Sequence, residues 1–165
     1  TEILDDLEFV RFASYPSAVE RAIRQNPRNP RGFLRKKMQN YRKITVDPKF
    51  EEILSMDWLI WRALMEKTSL RDQRAYLVRV MNDVQNLLKG EEFNFLSKRL
   101  SWVVYKVVSG YPTRVRERLK EVIEQAAEIM SDPGFDDFDE QTVYFAIIGN
   151  GGRDPRNFLK EHGAA

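Results

Sequence analysis

The sequence predicts an all-α fold, a compact bundle of about seven to nine helices. Three observations carry that prediction. Apolar residues recur at three- and four-residue intervals, alternating runs of strand length are scarce, and prolines and glycines fall where helices would begin and end. At 165 residues the chain is long enough to bury roughly 70% of its unfolded surface in one domain. It needs no staple, and with no cysteine it has none from sulfur.

The elements follow in order. From about Glu2 to Ala13, the residues Ile3, Leu4, Leu7 and Val10 share one side of a helix. A second helix begins near Ser14 and stops before Asn26-Pro27. Asn29 followed by Pro30 is an N-cap with proline at the first helical position, opening a helix through about Arg42. Asp47-Pro48 repeats the device, for a helix that carries Phe50, Ile53, Leu54, Trp58, Trp61, Leu64 and Met65. Ser69 caps the next, in which Leu77, Val80, Met81, Val84, Leu87 and Leu88 keep helical spacing until Gly90.

A further helix is expected from about Glu92 to Ser109, stopped by Gly110. Pro112 or Thr113 starts a long amphipathic helix whose buried stripe is Val115, Leu119, Val122, Ile123, Ala126 and Met130. Asp132-Pro133-Gly134 is a turn, and a last apolar helix around Phe138 to Ile148 ends at Gly149-Asn150-Gly151-Gly152. The organisation this implies is a basic helical segment over 1–47 packed on the rest, a main bundle over 48–152 and a C-terminal tail over 153–165.

Charge is the strongest functional signal. Between Arg21 and Val46 stand nine cations and no Asp or Glu; taking nine from the 27 Lys+Arg leaves 18, against 25 Asp+Glu. A nearly neutral chain is therefore polarised, and segregated positive charge focuses its field on a polyanion, which points to nucleic acid. In the helix from Pro30, the residues Phe33, Leu34, Lys37, Met38 and Tyr41 recur at helical intervals while Arg31, Arg35 and Arg42 line the adjoining face. Candidate phosphate contacts here are Arg28, Arg31, Arg35, Lys36, Lys37, Arg42 and Lys43, since Arg and Lys neutralise phosphates and release counterions without reading sequence. A solvated face is the plain alternative. Anionic lipid, an acidic protein partner and duplex DNA read by Arg28 to Lys43 as a helix-turn-helix variant are the others.

A second set of cations comprises Arg71, Arg74 and Arg79, then Lys98, Arg99 and Lys106, then Arg114, Arg116, Arg118 and Lys120. Glu117, Glu121, Glu124 and Glu128 interleave with the last group, which reads equally as exposed salt bridges of little worth. Trp58, Trp61, Trp102, Tyr76, Tyr105 and Tyr111 offer stacking surfaces to unpaired bases, although Trp58 and Trp61 lie on an apolar stripe that argues for packing. Asp132, Asp136, Asp137, Asp139 and Glu140 lack a calcium-loop pattern and are better explained as helix caps. The glycines at 149–152 follow a helix instead of a strand and lack a P-loop lysine-serine pair, so they read as a turn.

Enzyme chemistry has little to stand on. His162 is the one histidine, and no constellation of carboxylates, lysines or tyrosines suggests acid–base work. No cofactor or metal is expected. No apolar run reaches the ~20 residues of a membrane span, and Thr1-Glu2-Ile3-Leu4 does not read as a signal peptide, so a cytoplasmic setting is expected. Because the chain starts at Thr1 in place of Met, removal of an upstream part is an expectation.

Three stretches carry a family resemblance. Thr68 to Leu77 is a polar start with arginine continuing into an apolar helix, Ser97 to Lys106 is a basic, apolar and tyrosine-containing stretch, and Phe135 to Ile148 closes on Gly151-Gly152. In this order they resemble the small helical subunit of type III CRISPR effector complexes, of the Csm kind, over roughly the last two thirds of the chain. Ile147-Ile148-Gly149-Asn150 departs from the tyrosine and basic residue usual there, and the first 49 or so residues lie outside the match. The resemblance implies a non-catalytic subunit, present in several copies with other subunits of a ribonucleoprotein complex, lining the path of guide RNA and target. Arg71, Arg74, Lys98 and Arg99 match as its backbone contacts.

Overall fold

Asn29 starts a helix four residues after the preceding one ends at Gln25. Its Oδ1 accepts the backbone N–H of Gly32 at 3.0 Å, and Pro30 supplies a first helical residue that needs no N–H partner. The same economy recurs at Asp47, which accepts from Lys49 ahead of Pro48, and at Asp132, which accepts from Gly134 after Pro133. The computed structural model describes residues 8, 9, 12, 16–111 and 113–162; most of the helix expected over 2–13 lies outside them. Among the described residues the fold is all-α, without strands.

The elements are α1 (Pro16–Gln25), α2 (Pro30–Thr45), a 3-10 turn (Pro48–Ile53), α3 (Asp57–Glu66), α4 (Leu70–Lys89), a 3-10 turn (Asn94–Leu96), α5 (Ser101–Gly110), α6 (Val115–Met130), α7 (Glu140–Tyr144) running into a π-helical turn (Phe145–Gly149), and α8 (Pro155–His162). The chain divides into two compact units, residues 1–78 and 79–165, so the division falls inside α4 and not where the charge changes near residue 47.

In the first unit α2 packs on α1 and α3. Leu34, Ile44, Phe50, Ile53, Leu59, Ile60 and Leu64 form a core closed to solvent. The single helix expected from Pro48 through Met65 is interrupted at Met56: its N–H bonds Ile53 three residues back, and α3 then starts at Asp57. The tighter 3-10 spacing lets Phe50, Ile53 and Met56 all turn inward.

In the second unit α6 packs against α5 and α7, and α8 packs on the π-helical turn. Val103, Val107, Leu119, Val122, Ala126, Val143 and Ala146 are buried. The helix expected from Glu92 begins only at Ser101. Residues 91–99 form turns instead, because Asn94 donates to the terminal carbonyl of Leu88 at 3.0 Å and i→i+3 bonds follow at Leu96 and Ser97. Within the expected tail, residues 155–162 form α8, which buries Leu159. Gly151 and Gly152 have φ of 76° and 89°, which only glycine adopts without strain, and Asn150 Oδ1 accepts N–H bonds from Gly152 and Arg153.

Candidate nucleic-acid interface

The C-terminal end of α3 organises the first unit. Its last carbonyls have no partners within the helix and carry its negative dipole end, so they attract donors and cations. Arg21 Nη1 from α1 donates to Met65 O at 2.8 Å. Lys37 Nζ from α2 donates to Leu64 O at 2.5 Å and Lys67 O at 3.1 Å. Gln73 from α4 donates to Lys67 O at 2.9 Å while accepting from Asn40 of α2 at 3.0 Å.

Lys37 is therefore no phosphate contact. At 4% exposure it is a core residue, and burial, aided by the nearby charges of Lys36 and Arg21, holds its ammonium below the usual lysine range. On the same side of α2, Tyr41 stacks on Trp61 at 4.9 Å, and both donate to Asp57, at 2.5 and 3.1 Å. The apolar side of α2 is thus spent on α3.

The opposite side of α2 is a cationic face. Arg35, Lys36, Arg42 and Lys43 are exposed, Arg31 is half-buried, Gln39 lies between them, and Arg28 is exposed just ahead of the helix. From residue 31 to residue 43 the face runs roughly 18 Å at the helical rise. Arg35 has an internal partner, an ion pair with Glu8 at 2.5 and 3.1 Å. The guanidinium groups of Arg31 and Arg35 lie 5.6 and 5.8 Å from the centre of the Phe9 ring. Among the described residues no ion pair engages Arg28, Lys36, Arg42 or Lys43. Four positive charges without a neutralising acid among the described residues remain on one surface.

The second set of cations is distributed differently. Arg71 is exposed at the start of α4, and Arg74 stands 3.9 Å from Asp47 in the first unit. Lys98 and Arg99 belong to the second unit, on the turn before α5, in a groove they share with Asp139 and Glu140. Arg114 pairs with Glu117, Arg118 with Glu121, and Arg116 and Lys120 both with Glu92. These last four are satisfied by their own helix and its neighbour.

Of the other expected features, Trp58 and Trp102 are half-buried and Tyr111 is exposed. Trp61, Tyr76 and Tyr105 are buried, and Arg118 covers the Tyr111 ring at 5.2 Å. Asp132 is held below the usual carboxylate range by the Gly134 N–H and by Arg156. Asp139 is held low by its bonds to Thr142, whose N–H it accepts at 2.8 Å. Among the described residues no cluster of His, Asp or Glu is arranged to hold a metal, and no helix is long and apolar enough to cross a membrane. Comparison of the chain with family models, curated proteins and solved structures gives no match.

Proposed function

We propose that the chain is a non-catalytic RNA-binding subunit of a ribonucleoprotein complex, holding phosphate backbone on the outer face of α2. The observation that carries this reading is the set Arg28, Lys36, Arg42 and Lys43, exposed together with no ion pair to an acid among the described residues. A cation without a partner near a like charge is costly to keep, and a polyanion relieves that cost by releasing its own counterions. The resemblance of the last two thirds to the small helical subunit of type III CRISPR complexes supports RNA over other polyanions and adds Arg71, Arg74, Lys98 and Arg99 as backbone contacts.

Burial of the apolar side of α2 argues against two rivals. A helix that lies on lipid, or docks in a partner's groove, does so through its apolar stripe, and here Leu34, Lys37 and Ile44 are inside. An acidic protein and duplex DNA remain as competitors for the cationic face itself. Fluorescence anisotropy with a labelled single-stranded RNA at low salt, competed with duplex DNA and with an acidic polypeptide, separates them. Single-stranded RNA should bind and resist both competitors; displacement by duplex DNA at equal phosphate concentration would reassign the face to DNA.

A further inference from the structure

Phe95 is the most exposed aromatic among the described residues, ahead of Tyr111 and Phe145. It stands at the centre of the 3-10 turn Asn94–Leu96, whose neighbours Phe93 and Leu96 are buried, and it is 55% exposed. The turn is held firmly, since Asn94 is tied to Leu88 O and the Leu96 N–H to Phe93 O at 3.0 Å. Phe95 lines a groove of about 250 Å³ with Lys98 and Arg99 on one part of its wall and Asp139 and Glu140 on another. Lys98 and Arg99 are exposed and, among the described residues, form no ion pair, although two carboxylates share their groove.

We infer that this groove holds one unpaired nucleobase of an RNA strand, stacked on Phe95, and favours a base with an exocyclic amino group. The three chemistries needed are assembled in one place. An exposed aromatic face stacks any base. Lys98 and Arg99 meet the flanking phosphates. Carboxylates accept from an amino edge, as in the pairing of Glu or Asp with cytosine N4, and have nothing to accept from at the corresponding uracil oxygen. Asp139 already accepts the Thr142 N–H, which leaves Glu140 as the freer acceptor. A purely electrostatic strand path would have no use for acids beside its cations, whereas a base-holding groove does. This inference rests on the RNA-binding reading and adds a base preference to it.

The experiment uses the full chain with labelled oligo(C) and oligo(U) RNA, for the unmodified protein, Phe95→Ala, Glu140→Ala and a variant with Lys36, Arg42 and Lys43 changed to Gln. Phe95 is exposed, so circular dichroism should be unchanged in Phe95→Ala. Oligo(C) should bind tighter than oligo(U), Phe95→Ala should weaken both at least about fivefold, and Glu140→Ala should erase the difference between them. Equal binding by Phe95→Ala and the unmodified protein, while the α2 variant binds less, overturns the groove and leaves the RNA-binding reading standing. Loss of binding in Phe95→Ala with the α2 variant unaffected upholds the groove and removes α2. If the unmodified protein binds neither RNA, both fall. Unchanged RNA binding with loss of self-association in Phe95→Ala, measured by sedimentation, assigns the groove to a second copy of the chain and overturns the inference.

Discussion

At the scale of single residues, Lys37 decides how a cationic run should be read. It stands three residues after Leu34 and seven before Ile44, on the inward arc of the helix, and its ammonium serves the end of α3. Its spacing among Phe33, Leu34, Met38 and Tyr41 was visible in the sequence, and position on the helix outweighs residue type as a guide to what a lysine does. Burial lowers its pKa, so between that lowered value and 10.5 the folded chain holds fewer protons than the unfolded one and stability from this group rises with pH. Denaturant unfolding of Lys37→Met beside the unmodified protein should therefore show a stability difference that moves in favour of lysine from pH 8 toward 10. A difference constant over that range would place Lys37 in solvent.

Tyr144 tests the same physics with the opposite sign. Burial, with Glu140 nearby, pushes its phenol up to about 12. The unfolded chain loses this proton near 10, so stability is intact below that pH and falls between 10 and 12, on the order of 2–3 kcal/mol at the top of the window. Tyr144→Phe should remove this alkaline loss, and a phenolate absorbance titration should show one fewer late-titrating tyrosine. An identical alkaline transition in both proteins would contradict it.

At the scale of elements, what was legible was local chemistry. Asn29-Pro30, Asp47-Pro48, Ser69 and Gly90 all mark boundaries where the sequence placed them, because caps act over three residues and need no tertiary context. Asn29→Ala should cost about 1 kcal/mol in denaturant unfolding; no change would mean that α2 is started by packing alone. The turns at 91–99 were less legible. Phe93, Leu96 and Leu100 have spacing that a helix would also satisfy, and the turn is marked by the bond from Asn94 back to Leu88 O and the i→i+3 bonds at Leu96 and Ser97. That same choice exposes Phe95: two phenylalanines two residues apart cannot both face one core, a signal the sequence held but which points outward only once the turn is known.

At the scale of the whole molecule, segregation of charge was readable from composition, but its division of labour was not. Of the nine cations from Arg21 to Val46, Arg21 and Lys37 close the end of α3 and Arg35 pairs with Glu8, while Arg28, Lys36, Arg42 and Lys43 have no acid among the described residues. The division of the chain at Val78 and Arg79 was also hidden, because a 20-residue helix crosses it without a break in pattern. Arg79→Pro should disrupt α4 at that point and cost about 3 kcal/mol or more, read by thermal or denaturant unfolding. A neutral effect would mean that helical continuity there matters to neither unit.

The salt dependence of single-stranded RNA binding addresses the central claim most directly. The four α2-side cations that have no acid among the described residues should contribute about −3 to the slope of log affinity against log salt, and changing Lys36, Arg42 and Lys43 to Gln should flatten the slope by about 2 while circular dichroism stays helical. A slope unaltered by those three substitutions would contradict the account.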